Sequence, residues 1–342
     1  MIKHIFWNAE EQRVRALWRL IAQMIIFMVF LICASGVPGM IVAMGQYDQP
    51  GGVDPSQVEA ALTSSPFFML FTGLGGLVAI SISVVLAARF LDRRPVRDFG
   101  FHFDAAWWRD LGFGLGLGGA LMAGIFLVEW LAGWITITDT FFVAPRFEIS
   151  FVGSVLIYVG AYLGVGIYEE LLSRGYQLLN ISEGLQSLLT SRGAIIAAWT
   201  LTSAFFGLAH AGNPNATWIS SFNIMLAGLF LGLGYILTGE LAIPIGLHIT
   251  WNFFQGVVFG FPVSGNAPGA TFIAIEQGGP AAWTGGAFGP EAGLIGIAAM
   301  VLGSAATWLW IRQMYASTAL DTSLAEYEAP EEASPDQQAE AA

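Results

Sequence analysis

Long apolar runs dominate this chain and leave it few possible folds. Eight stretches, 17–45, 66–90, 111–135, 150–180, 193–212, 219–238, 241–260 and 292–312, are each apolar enough and long enough to cross about 30 Å of hydrocarbon as a helix. Inside lipid the backbone amides find no water, so each run must satisfy its own hydrogen bonds, and a helix does so. Charged residues make up only 11% of the chain, where a soluble domain carries about 25%. The expected fold is therefore all-α, a polytopic membrane bundle of eight transmembrane helices. The first and fourth stretches exceed what a bilayer needs, and tilt or extension into the interface absorbs the excess.

Orientation follows from the basic residues, which accumulate in cytoplasmic loops. With the N-terminus inside, Lys3, Arg13, Arg15, Arg19, Arg89, Arg93, Arg94, Arg97, Arg109, Arg174, Arg192 and Arg312 all fall on the cytoplasmic side and only Arg146 falls outside. Both termini are thus expected in the cytoplasm. The first apolar run is longer than the roughly 7–15 residues of a cleavable signal core and reads as a permanent span. A net charge of −12 offers no basic surface for nucleic acid. Much of that charge sits in a tail, residues 318–342, holding Asp321, Glu326, Glu328, Glu331, Glu332, Asp336 and Glu340; it reads as solvated disorder. Cys33 is the only cysteine, so no intrachain disulfide can form. The Gly/Pro-rich segment 261–290 and the segment 46–65, with Asp48, Asp54 and Glu59, read as irregular outer loops. Gly112, Gly114, Gly116, Gly118 and Gly119 in the third span, and Gly228 and Gly232 in the sixth, suit close helix packing. No strand pattern supports a phosphate-cradling loop there.

Against this apolar background a few polar side chains stand out. Glu169 and Glu170 lie in an apolar run with Arg174 one turn on. A carboxylate in a span costs roughly 2.5–3.5 kcal/mol on insertion scales, so it needs a function or a partner. Glu170 and Arg174 share a helical face and can pair, leaving Glu169 about 100° away and free to act as a base. Phe206 and His210 share a face of the fifth span, and His248 and Asn252 a face of the seventh. A carboxylate base, two imidazoles and an amide donor are what attack of water on a peptide requires. The Glu169, His210 and His248 set could instead hold a divalent metal such as zinc, and the His248/Asn252 pair could be an interhelical polar clamp. No Gly-x-Ser-x-Gly elbow occurs and no thiol lies nearby, which argues against serine and cysteine hydrolysis.

The ordered motifs EExxxR (Glu169, Glu170, Arg174), FxxxH (Phe206, His210) and HxxxN (His248, Asn252) resemble the CPBP family of intramembrane proteases. That family includes the type II CAAX prenyl endopeptidases and the Abi proteins. The resemblance covers roughly residues 150–260. It implies a membrane protease in which Glu169 and His210 activate water, His248 and Asn252 stabilise the oxyanion or in part bind metal, and Glu170, Arg174 and Phe206 support them. It implies a membrane-associated peptide or protein as substrate and the plasma (inner) membrane of a bacterium as location. Residues 1–149 would supply three spans without a motif, 261–317 the outer loop and last span. A non-catalytic immunity or scaffold protein of the same fold is the alternative.

One geometric demand follows. His210 lies some way into its span, about 25 Å from the membrane face at which the fourth span would end if it stopped at Glu170. The groups converge only if the fourth helix continues, tilted, through Arg174 to about residue 182, which predicts interior or interfacial positions for Gln177 and Asn180.

Overall fold

The computed structural model describes residues 3–46, 67–145 and 149–327. The expected outer loop 46–65 with its acids, Arg146, and the tail acids beyond Tyr327 lie outside the described residues, apart from Gln46 at the end of the first helix. The helices in chain order are α1 (Ala16–Gln46), α2 (Phe67–Ala87), α3 (Ala105–Leu131), α4 (Phe151–Glu170), α5 (Leu179–Leu185), α6 (Ser191–Ala209), α7 (Trp218–Thr238), α8 (Ala242–Phe253) and α9 (Leu294–Tyr315). Among the described residues, seven helical segments are long and apolar enough to cross a membrane, so the chain is a polytopic helical membrane protein. The eighth expected span, 241–260, is the short α8 continued by a π-helical turn over Phe254–Val258. Every residue from Leu241 to His248 is buried, so α8 is walled by other helices and need not match the bilayer by its own length.

Local sequence sets the helix ends. Asp104 caps α3 by accepting from the Trp107 amide at 2.7 Å, and Ser150 and Thr190 do the same for α4 and α6. Thr217 and Ser220 form a reciprocal capping box at the start of α7, which ends at Gly239 in the left-handed region. The fourth span runs without a break from Phe151 to Leu185, as convergence required. Its middle is π-helical from Leu171 to Leu178, beginning immediately after the glutamate pair. Such wide turns re-aim side chains and often mark functional sites.

The small residues of α3 let α8 lie against it. A methyl group added at Gly118 would sit 2.9 Å from the Trp251 nitrogen, and one at Gly114 2.9 Å from the Leu247 nitrogen. Backbone contact of this kind is how helices associate in lipid, where burial of apolar surface supplies little drive. On its other sides α8 packs on α4 and α7.

Two features depart from the sequence reading. The expected irregular loop 261–290 contains a strand, β4 (Ala270–Gln277), paired antiparallel with β3 (Ile135–Val143). This ribbon and a short ladder of β1 (Trp7–Asn8) with β2 (Arg13–Val14) are the strand pairs among the described residues of an otherwise helical fold. The tail is not disordered from residue 318: Leu324 and Ala325 are buried, and Tyr327 stacks on Arg13 with the guanidinium carbon 3.3 Å from the ring centre. Both ends of the described chain therefore meet at one end of the bundle. There Arg13 and Arg19 are not free interfacial charges. Both are fully buried, and each reaches Glu183 Oε2 at 2.8 Å; Arg19 also lies 3.2 Å from Asp92. Asn180, predicted to need an interior position, accepts from Arg19 Nε at 2.6 Å, while Gln177 is half-buried. The network fastens the extension of the fourth span, one end of the segment that carries the glutamates.

Candidate active site

The end of α4, its π-helical continuation, the C-terminal end of α6 and the middle of α8 meet inside the bundle. Glu170 is fully buried, and its Oε1 accepts from Arg174 Nη1 at 2.9 Å. The same oxygen lies 2.8 Å from His248 Nδ1. A carboxylate only accepts, so that nitrogen carries the proton, and in the neutral imidazole His248 Nε2 then carries the lone pair. The other face of the guanidinium closes the arrangement: Arg174 Nη2 donates to the Gly228 carbonyl at 2.8 Å, and its carbon lies 4.7 Å from the Phe206 ring centre. The expected Glu170–Arg174 pair is thus present. It does more than hold the helix, because it also fixes the rotamer and tautomer of His248.

Glu169 points elsewhere, as the helical wheel implied. Its Oε1 accepts from the Tyr168 hydroxyl at 3.0 Å, and its buried Oε2 has no hydrogen-bond partner. The nearest basic nitrogen is His248 Nε2, 3.9 Å from Oε2. That separation suits one water donating to both acceptors, given hydrogen bonds of about 2.8 Å, although Oε2 is closed to a water-sized probe in this arrangement. Among the described residues no hydrogen bond or ion pair joins Glu169 to His210, the partner implied by the resemblance. His210 sits where α6 gives way to a short turn, His210–Gly212, and its Nδ1 lies 2.8 Å from the Phe206 carbonyl. Nδ1 therefore bears the proton, and no hydrogen bond ties Nε2 to a described residue. Phe206 stands between the imidazoles, its ring centre 4.8 Å from that of His210 and 6.2 Å from that of His248.

His210, His248 and Asn252 line one cavity of about 40 Å³, large enough to hold water. Most of its remaining wall is apolar, from Ile224, Phe230, Leu231, Trp251 and Met300, and Glu169 lies beside it across His248 rather than on its lining. No hydrogen bond ties the Asn252 carboxamide to a described residue, so its donors are available to a ligand. Three contributors escaped the sequence reading. Tyr168 was visible only as the neighbour of the acidic pair. Glu291 and Ser264 also line the cavity; Ser264 comes from the segment 261–290 taken as an irregular loop, and Glu291 directly follows it. A lone acid just before an apolar span, as in GPEAGLIG, was the available signal for Glu291.

The metal reading fits less well. Among the described residues, no three histidine, cysteine, aspartate or glutamate side chains are grouped to hold an ion. Nδ1 of each imidazole is engaged, by Glu170 and by the Phe206 carbonyl, which leaves Nε2 of each as the nitrogen that could meet an ion.

Taken together, the chain is an integral membrane protein with a polar, carboxylate- and imidazole-lined site inside its helices. Residues 151–254, under a third of the 342 residues, match the family model described as type II CAAX prenyl endopeptidase Rce1-like. The resemblance read from the three motifs is borne out by that match. No curated protein and no solved structure matches the chain.

Proposed function

We propose that this protein is an intramembrane endopeptidase that hydrolyses a peptide bond of a membrane-associated substrate, with prenylated CAAX peptides as the substrate class. The observation that carries the proposal is the unpartnered Glu169 Oε2 facing His248 Nε2 across 3.9 Å, beside a cavity that also exposes an unbonded carboxamide. In this reading a water donates to both acceptors, and Glu169 takes its proton as the water oxygen bonds to the scissile carbonyl carbon. Asn252 donates to the oxyanion that develops. The carbon–nitrogen bond then breaks, and the proton from water passes to the leaving nitrogen, directly from Glu169 or by way of His210 Nε2. Glu170 and Arg174 keep His248 oriented throughout. The assignment differs from the family expectation in giving Glu169 the neighbour His248 instead of His210. No step requires a metal.

Location is proposed with it: the plasma (inner) membrane of a bacterium, both termini cytoplasmic. The charge distribution supports the orientation, as does the meeting of Arg13 and Tyr327 at one end of the bundle. The test is cleavage by the purified protein in liposomes of one peptide with and without its prenyl group. Cleavage of the prenylated form is expected. Folded protein that cleaves neither peptide would refute the proposal, and equal cleavage of both would remove the prenyl requirement.

A further inference from the structure

Glu291 lies in a short 3-10 turn, Pro290–Ala292, just before α9 and outside the segment that matches the family. Among the described residues it is the one acid on the cavity lining, and the proposed reaction does not use it. Its side chain is buried with both oxygens engaged. Oε1 accepts from the Ser264 amide at 2.6 Å, and Oε2 accepts from Gln255 Nε2, which also donates to the Pro262 carbonyl at 2.6 Å.

Each bond leads to a site residue. Gln255 is one turn beyond Asn252 on the π-helical continuation of α8. Ser264 is held at a φ of +46°, in the left-handed region that side chains rarely adopt, so its turn needs an outside anchor. The Ser264 carbonyl accepts from Asn213 Nδ2 at 3.0 Å, and the Asn213 amide donates to the His210 carbonyl at 3.1 Å. Asn215 adds a parallel tie to the Gly265 carbonyl at 3.2 Å. One carboxyl group thus spans the outer end of the cavity, between the turn that ends in His210 and the helix that carries Asn252.

We propose that Glu291 is a positioning residue of this enzyme, setting His210 against Asn252 through Ser264–Asn213 on one side and Gln255 on the other. The inference rests on the hydrolytic reading for its catalytic consequence, but its geometric content can be tested without any substrate. Glu291→Gln keeps an oxygen for the Ser264 amide and turns an NH2 group toward the Gln255 NH2, breaking one tie. Asn213→Ala severs the other tie with Glu291 intact.

The experiment measures carbethoxylation of His210 by diethyl pyrocarbonate, followed by mass spectrometry, with the exposed His102 as internal reference. In both variants His210 is expected to react at least about threefold faster, while His102 is unchanged, because the turn is released locally. Turnover of a prenylated CAAX peptide is expected to fall about 10- to 100-fold in kcat with KM unchanged. The double variant is expected to be no worse than the weaker single variant, as members of one chain of contacts are not additive. Unchanged His210 labelling in both variants would overturn the proposal, as would an effect confined to KM or strict additivity. If the wild type cleaves nothing, labelling alone still decides whether Glu291 positions His210. If Glu291→Gln fails to fold, Asn213→Ala decides it.

Discussion

Replacing Glu170 by Gln separates the two jobs that the structure gives this residue. The side chain keeps its shape, but the one oxygen that accepts from both Arg174 Nη1 at 2.9 Å and His248 Nδ1 at 2.8 Å loses its negative charge. Arg174 is 1% exposed, so losing its counter-charge leaves a buried cation. Removing one partner of a buried pair costs about 3–5 kcal/mol. The Gly228 carbonyl and the amide oxygen remain as acceptors, which places the expected loss near the lower end, about 3 kcal/mol. The chemical effect is separate. The amide oxygen that stays on Arg174 also stays on Nδ1, but as a neutral acceptor it holds the Nδ1 proton more weakly than the carboxylate did, so the tautomer that offers the Nε2 lone pair toward Glu169 is less favoured. A carboxylate-to-amide change behind a catalytic imidazole costs about 10⁴-fold in turnover in the serine-protease triad. The assay pairs denaturant unfolding with kcat on a prenylated CAAX peptide in liposomes. The double variant Glu170→Gln/Arg174→Met is the decisive companion, because removing both charges of a buried pair is often neutral. It is expected to regain stability without regaining turnover. A double variant with turnover within about threefold of wild type would show that Glu170 acts on stability alone and would refute the orienting role.

Two further outcomes follow from the packing and the electrostatics. Gly118→Val forces a side chain against the Trp251 nitrogen, only 2.9 Å from the added Cβ, and should destabilise the protein by about 1–3 kcal/mol in denaturant unfolding; an unchanged midpoint would mean that α3 and α8 are not so closely packed. Burial pushes the Glu291 carboxyl up from 4.5 to about 7, with the Ser264 amide opposing the shift. The folded chain therefore holds this proton where the unfolded chain has released it, so a stabilising contribution complete below about pH 4.5 is lost as pH rises through about 7, amounting to roughly 3 kcal/mol. Unfolding of Glu291→Gln measured across that window should lack this fall relative to wild type, and parallel curves for the two proteins would contradict the shift.

The helices and the polar set were legible in the sequence because each rests on local periodicity. Apolar length marks a span, and i,i+4 spacing puts Glu170 beside Arg174 and Phe206 beside His210. Even the unbroken fourth span followed from requiring Glu169 and His210 to reach one interior. What local spacing cannot carry is the pairing of distant groups. Contact of Glu170 with His248 joins residues on different helices, and nothing in either motif says which imidazole faces Glu169. The burial of Arg13 and Arg19 against Glu183 was hidden for the same reason, since a charge count treats all basic residues near a span end alike. The β3–β4 ribbon was concealed by the glycines and prolines flanking it, although ITITDTFFV and ATFIAIEQ are rich in the β-branched and aromatic residues that favour strands. The docking of Tyr327 was masked by the acidic composition of the tail around it.

The most direct test of the account is the turnover of a prenylated CAAX peptide by Glu169→Gln beside wild type, in the same liposomes and at matched folded fraction. Removing the carboxylate that takes the proton from water should lower kcat at least about 10³-fold, with the unfolding midpoint little changed because Glu169 Oε2 has no hydrogen-bond partner to lose. Turnover within a few-fold of wild type from a folded Glu169→Gln protein would contradict the claim that Glu169 activates water in this site.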